Sequence, residues 1–410
     1  MPQFVAQHYK SMRIGIEAQR LFRARKHGMD IVALELIRHL QQLDTQHEYI
    51  VFVRPGPDRC LEASENVTIC ELRAPTYPLW EQVALPLAAA RMNVDVLHCT
   101  ANTAPLWCPV PVILTLHDVI FLEQRHRMKT GGTWYQRFGN AYRAALVPHV
   151  ARRAAHVLTV SHFEKGRIQE VLDLPVEQLS VAYNGVSKRF HYVADAQQHA
   201  TVRARYNLPE RFVLFFGNTD PKKNLPGVLT AYLSYAQQTD APIPLVLADY
   251  DEARLLAWLD AHQCRHLRPL FILPGYLQHD DLPTIYSLCT LFLYPSLRES
   301  FGLPILEAMG CGAPVVTSSC ASMPEVSGFG ALHVDPTAPQ ELTDLLCTYL
   351  ADPDHSLAPF RRQGPQRAAQ FSWHRTAARV RACYERYARN LQEGTPFVEQ
   401  PARFTDLQTV

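Results

Sequence analysis

The chain carries 10 cysteines but no pair at C-x-x-C spacing and no Cys/His cluster at metal-ligand spacing. Those absences exclude the common structural zinc sites and a disulfide framework, and leave buried free thiols in a reducing cytoplasm as the reading. No apolar run approaches the ~18–20 residues of a membrane span. The start, Met1-Pro-Gln-Phe-Val-Ala-Gln-His-Tyr9, lacks the basic-then-apolar order of a signal peptide. Charge of one sign is missing too: 40 basic residues meet 39 acidic ones for a formal net charge of +1, so nucleic acid gains no bulk electrostatic hold. There is no repeat at solenoid period and no low-complexity segment. What remains, 47% hydrophobic and 19% charged, is an ordinary globular composition. At 410 residues the chain exceeds one ordinary core, and two domains of roughly 150–200 residues are expected.

Strand and helix patterns alternate along the chain, as in doubly wound parallel sheets. Met12–Glu17 reads as a first strand, 18–28 as a polar loop ending in Gly28, and Asp30–Leu43 as a helix with its apolar period at Ile31, Leu34, Leu36, Ile37 and Leu40. Strands are expected at Tyr49–Val53, Val94–His98, Val112–Leu116, Val157–Val160 and Leu179–Ala182. A second series runs through Phe212–Phe216, Pro244–Ala248, Leu270–Leu273, Leu291–Tyr294 and Val315–Thr317. Between the series, Ser187–Pro209 is polar and holds no clear strand. Phe371–Gln392 has a long helical pattern, and 393–410 reads as a loose tail. The expected domains are therefore 1–190 and 208–373, with a C-terminal helix over about 374–392 packing back on the first. Sheets of this kind bind ligands at the C-terminal ends of their strands.

One segment concentrates chemistry, Pro295-Ser-Leu-Arg-Glu-Ser-Phe-Gly-Leu-Pro-Ile-Leu-Glu-Ala-Met-Gly-Cys-Gly-Ala-Pro314. Pro304 suits the first helical position, while Gly312 and Pro314 stop the helix before the strand that follows. Glycine at a helix mouth leaves N–H groups free to face an anion, most simply a diphosphate. The bracketing acids Glu299 and Glu307 suit hydroxyl groups better than phosphate, which suggests a phosphate with sugars on either side. Equally, Glu299 reads as a solvated loop residue and Glu307 as a carboxylate near a helix start. In Gly217-Asn-Thr-Asp-Pro-Lys-Lys-Asn224, basic residues follow a glycine at a strand end, so Lys223 is either a phosphate clamp or one of an exposed pair. His117-Asp118 ends a strand, with Asp118 a candidate to orient the ring, and a satisfied structural histidine is the alternative. Asp249-Tyr-Asp251 has the D-x-D form of a metal-holding pair, but its continuation into Glu252 and Arg254 reads as an ordinary helix start. The basic-aromatic stretch Arg125–Arg143 suits either an anionic membrane surface or solvent.

Together these residues resemble a known family. The segments GIEAQRLFRARKHGMD, DVLHCTANTAP, VILTLHDVIFL, HVLTVSHFEKGRI, VAYNGV, FGNTDPKKNL, YPSLRESFGLPILEAMGCGAPVV and CASMPEVSG, with the E-x7-E pattern of Glu299 and Glu307, are similar to family 4 glycosyltransferases of the GT-B fold, from about Arg13 to about Tyr387. The resemblance implies an α/β chain of two Rossmann-like doubly wound domains facing a central cleft. It implies that Glu299 holds the donor sugar, that N–H groups around Phe301, Gly302 and Leu303 receive the diphosphate, and that Glu307 binds the ribose. Lys223, with Lys222, would balance leaving-group charge. Gly217 and Asn218 would line the donor loop, Asn218 standing where many members have an arginine. Gly275 and Tyr276 would hold the base, His117 would lie between donor and acceptor, and Gly28 would approach the donor phosphates or acceptor.

The activity so implied is retaining transfer of a hexose from a nucleotide diphosphate sugar, with no metal and no further cofactor. The acceptor would be a glycan or a polyprenyl-diphosphate-linked glycan in surface polysaccharide or lipopolysaccharide synthesis, met in the cytoplasm with a peripheral contact at the inner membrane. Similarity over LWEQVALPLA and HCTANTAPL makes GDP-mannose the first donor to try, ahead of rhamnosyl and glucosyl donors. A sugar-nucleotide 2-epimerase and a non-catalytic nucleotide-sugar-binding module are the other readings.

Overall fold

The computed structural model describes residues 11–123, 134–217 and 219–393. Asn218, the part of the basic-aromatic stretch from Arg125 to Thr133, and the tail beyond Glu393 lie outside the described residues. The chain divides into two compact units, one made of the residues up to Asn184 plus those from Trp373, the other of Gly185–Ser372. The stretch between the two strand series carries a helix, Ala196–Tyr206, capped by the Asp195 side chain on the N–H groups of Gln197 and Gln198.

The first unit is a seven-stranded, all-parallel sheet of order β3-β2-β1-β4-β5-β6-β7. Its strands are β1 (Arg13–Glu17), β2 (Glu48–Val53), β3 (Val67–Glu71), β4 (Val96–Cys99), β5 (Val112–Thr115), β6 (His156–Thr159) and β7 (Leu179–Val181). The helix after β1 spans Gly28–Leu43 and buries Val32, Leu34, Leu36, Ile37 and Leu40. The helix Trp373–Glu393 joins the same core through Ala377, Val380, Cys383, Tyr384, Tyr387 and Ala388. Tyr384 is fully buried, and its hydroxyl lies 2.6 Å from Nδ1 of His98 on β4. The other ring nitrogen of His98 reaches the Thr115 hydroxyl on β5 at 2.7 Å, so one buried imidazole ties the C-terminal helix to two central strands.

The second unit is a six-stranded parallel sheet of order β10-β9-β8-β11-β12-β13. Here the strands are β8 (Val213–Phe216), β9 (Leu245–Ala248), β10 (Phe271–Ile272), β11 (Leu291–Tyr294), β12 (Val315–Ser318) and β13 (Leu332–Val334). Central strands such as Leu-Phe-Leu-Tyr of β11 are buried along their whole length, as sheets covered on both faces require. In both orders the strand succession reverses beside the first strand of the unit, β1 or β8, which places a ligand-binding switch point at the C-terminal ends of those strands.

Candidate donor and acceptor sites

In the second unit, β11 ends at Tyr294 and the chain turns through Pro295–Phe301 into the helix Leu303–Gly310. Gly302 caps that helix at φ +94°, where a side chain is strained, and an added Cβ would meet Ile305 Cδ1 at 3.0 Å. Leu303 is the first helical residue and Pro304 the second, one place later than the sequence suggests. Nothing is lost, because the first-turn N–H groups have no intrahelical acceptor in any case. Hydroxyls beyond β11 hold the turn's carbonyls. Ser318 Oγ donates to the Ser296 carbonyl at 2.5 Å, Ser322 Oγ to that of Glu299 at 2.9 Å, and Thr317 Oγ1 to that of Tyr294 at 3.1 Å. These bonds fix the turn that leads into the helix.

Lys223 comes to the same place from β8. Asp220 caps the short turn Pro221–Lys223, and Asn224 follows at φ +61°. The Asn224 amide donates to the Pro295 carbonyl at 3.1 Å and to that of Pro336 at 2.7 Å, while Leu297 N–H donates to the Lys222 carbonyl at 2.7 Å. Thus strapped down, Lys223 Nζ stands 2.5 Å from Glu299 Oε1 and 2.9 Å from the Tyr294 hydroxyl. The two residues offered as cation and sugar-binding acid are joined as a largely buried ion pair. Lys222 instead leans toward Asp220, at 3.8 Å.

Glu307, on the helix that Gly302 opens, is part-buried, and its carbonyl accepts from Cys311 N–H at 3.2 Å. Burial pushes its carboxyl up to about 7, against the pull of Arg189. Phe301 is buried against Phe371, and its carbonyl accepts from the Ser322 hydroxyl at 3.4 Å. Gly217 follows β8 and donates to the Ala248 carbonyl at 2.7 Å; an added Cβ would stand 2.6 Å from that of Tyr250, so the close approach requires glycine. Gly275 lies at φ +73° and accepts from Asp249 N–H at 2.8 Å, and the ring of Tyr276 beside it is exposed. Asp251 of the D-x-D pair is a helix cap, accepting from Arg254 N–H at 2.9 Å, and Glu252 pairs with Arg268.

The structure does not bring every candidate into this cluster. His117 and Gly28 belong to the first unit. Gly28 is the first residue of its helix, and an added Cβ there meets nothing within 4 Å. The ring of His117 is oriented not by Asp118 but by the Thr100 carbonyl, 3.0 Å from Nε2. The physical reason is local, since Asp118 turns its Oδ1 to Ile120 N–H at 3.2 Å. A carbonyl only accepts, so Nε2 carries the proton and Nδ1 is left as an acceptor. Burial lowers the His117 pKa, so the ring acts as a neutral hydrogen-bonding group.

Sequence reasoning missed a second polar cluster in this unit. Glu17 closes β1, and its Oε1 accepts from Gln19 N–H at 2.9 Å. Glu81 accepts from the hydroxyls of Tyr77 at 2.8 Å and Tyr142 at 2.6 Å, from the Gln82 amide at 2.9 Å, and from Thr103. The Arg20 guanidinium lies 5.6 Å from the Tyr77 ring centroid. Glu17 was visible only as a charge ending an apolar strand; its neighbours meet through folding and left no local spacing to read.

Burial holds Glu17 as well as Glu307 at about 7, above the usual 4.5. The folded chain therefore keeps these protons more tightly than the unfolded one, and their contribution to stability falls as pH rises through 4.5 to 7. His98 and His156, pushed down to about 3, act the opposite way, and their contribution is lost as pH falls below 6.5. Thermal melts of Glu17→Gln and Glu307→Gln should show a shallower fall in Tm from pH 5 to 7 than the parent. An unchanged slope in both would remove this account.

Two parallel sheets, one with an ion pair fixed beside a glycine-opened helix, define an α/β protein of two Rossmann-like units. Comparison with known proteins gives the family. Residues 27–190 match the model of "Glycosyltransferase Family 4", and residues 200–367 that of "Glycosyl transferases group 1". The chain belongs to the family 4, group 1 glycosyl transferases. It is 32% identical over 233 residues to the O-antigen chain mannosyltransferase B of Escherichia coli, covering 56% of this chain and 60% of that one. It is 29% identical over 274 residues to the serotype-specific mannosyltransferase WbdA of the same organism, covering 66% of this chain and 32% of that one. The chain thus spans only part of these relatives' length. Among solved structures, the sucrose-phosphate synthase of Thermosynechococcus elongatus superposes with a TM-score of 0.68 at 20% identity, over 94% of this chain and 100% of that one. The Anabaena protein HepE in complex with UDP-glucose superposes at 0.67 and 17% identity, over 91% and 99%. The fold is GT-B.

Proposed function

We propose that the protein transfers a hexose from a nucleotide diphosphate sugar to an acceptor hydroxyl with retention of configuration, needing no metal. The observation that carries the reading is the Lys223–Glu299 pair at the mouth of the helix Leu303–Gly310. When the bond from the sugar's anomeric carbon to the diphosphate oxygen breaks, its electron pair goes to the diphosphate, and an oxygen of that leaving group takes the proton the acceptor hydroxyl gives up as its oxygen bonds the anomeric carbon. The helix N–H groups and Lys223 then meet charge that develops late, which is where fixed donors lower a barrier most. Glu299 accepts hydroxyls of the transferred sugar and Glu307 those of the ribose. A carboxyl held near neutrality can either donate or accept there. In the first unit, neutral His117 and the cluster around Glu17 and Glu81 supply hydrogen bonds for an acceptor sugar.

Mannose from GDP-mannose is the first donor to test, a choice supported by mannosyltransferases among the relatives. A glycan acceptor of surface polysaccharide or lipopolysaccharide, carried on a polyprenyl diphosphate, fits the same relatives. Exposed Leu79, Val83, Leu87 and Trp107 on the first unit favour a peripheral contact with the membrane that would carry it. Among the described residues no helix is long and apolar enough to cross a membrane.

The test is a panel of nucleotide sugars, each with and without lipid-diphosphate glycan acceptors, in EDTA, read by mass spectrometry and by NMR of the anomeric proton. One donor should yield an α-linked product. Loss of turnover in EDTA would overturn the metal-independent step, and an inverted product the retaining one.

A further inference from the structure

We propose that Tyr294 is a positioning residue of this reaction, its hydroxyl keeping the Lys223 ammonium aligned as its anionic partner changes from the Glu299 carboxylate to the donor diphosphate. The inference rests on the reading of the second unit as the donor site.

Lysine carries its charge on a flexible four-carbon stem, so a phosphate-binding lysine needs something to fix its head. Here an aromatic residue does so twice. Nζ lies 2.9 Å from the Tyr294 hydroxyl and 4.8 Å from the centroid of its ring. The hydroxyl accepts from Lys223, which also donates to Glu299, so the ammonium is held between the two. An ammonium has three donors; among the described residues Glu299 and Tyr294 take two, which leaves one for a ligand.

Tyr294 is well placed to stay still while Lys223 changes partner. It is 6% exposed, its ring packs on Phe292, and its carbonyl is held by Thr317. Pro295 follows, which confines the Tyr294 backbone to the extended region. Its hydroxyl and one ring face reach the ammonium of the ion pair. A diphosphate carries more charge than a carboxylate and competes for the same ammonium, so donor binding frees Glu299 to accept sugar hydroxyls. The hydroxyl and the ring face remain as fixed contacts through that exchange. A tyrosine serving only as core would lose nothing specific on becoming phenylalanine.

The experiment measures nucleoside diphosphate release, from the nucleotide sugar that the wild type turns over, in Tyr294→Phe, Lys223→Ala and the double variant, with melts to confirm folding. Tyr294→Phe should lower kcat by about tenfold or more with donor KM changed by less than about threefold. It should cost less than about twofold further when Lys223 is already alanine, since a residue acting through Lys223 has nothing left to position. Wild-type kcat in Tyr294→Phe, or the same fractional loss in both backgrounds, would overturn the inference alone. Lys223→Ala turning over like wild type would overturn it together with the donor-site reading.

Discussion

Lys223→Ala is expected to lower the turnover number by about 10²–10³-fold, the loss typical of removing one fixed donor from a developing negative charge. Two features of the structure set that size. The ammonium is largely buried and strapped in place through Asn224 and the Lys222 carbonyl, so neither solvent nor Lys222 can take over its role. Lys222 leans toward Asp220 instead. The change also leaves Glu299 without its cation, in a place where it is only 9% exposed. Some loss of stability is therefore expected beside the catalytic loss, and unpaired buried charges are costly. Melting curves separate the two, since a folded but slow variant supports the assignment. Arginine should rescue poorly, because a planar fork does not occupy the point that one ammonium fills between Glu299 and Tyr294.

The second large effect concerns the first unit. Tyr384→Ala should cost about 3–5 kcal/mol of stability, the range for removing a large aromatic from a core. Tyr384 is fully buried between the C-terminal helix and the sheet, stacks edge-on to His98, and bonds its Nδ1. Its removal opens a cavity and orphans that imidazole nitrogen at once. Tyr384→Phe keeps the ring and should lose only the hydrogen bond, about 1–3 kcal/mol. Denaturant melts of the two variants test this. Equal losses would mean that the hydroxyl, rather than the packing, holds the helix.

Most strands were legible because buried parallel strands are short apolar runs between turn residues, as in Phe292-Leu-Tyr294 or Leu245-Val-Leu-Ala248. Two escaped. Val67–Glu71 is a partly exposed edge strand mixing Thr, Cys and Glu, and Leu332–Val334 is a three-residue edge strand with a central histidine. Neither has the apolar run that marks a central strand. The residues proposed for the donor site were singled out where the sequence groups them, with Glu299, Gly302 and Glu307 in one stretch around a helix start and Lys223 in the loop past a strand end. What stayed hidden depends on contacts across the sheet. Nothing near Tyr294 in sequence says that it touches Lys223, and Asn224, Ser318 and Ser322 read as ordinary loop residues until their hydrogen bonds are seen. Asp118 shows the reverse case. Its place beside His117 suggested a partnership that the backbone at Thr100 fulfils instead.

The central claim is that the helix mouth and Lys223 receive a nucleoside diphosphate. Calorimetric titration of the whole protein with GDP and with UDP, in EDTA, tests it most directly. The account predicts saturable one-site binding of at least one of them, weakened by about tenfold or more in Lys223→Ala while the variant remains folded. Binding of neither nucleotide, or equal affinity in wild type and variant, would contradict it.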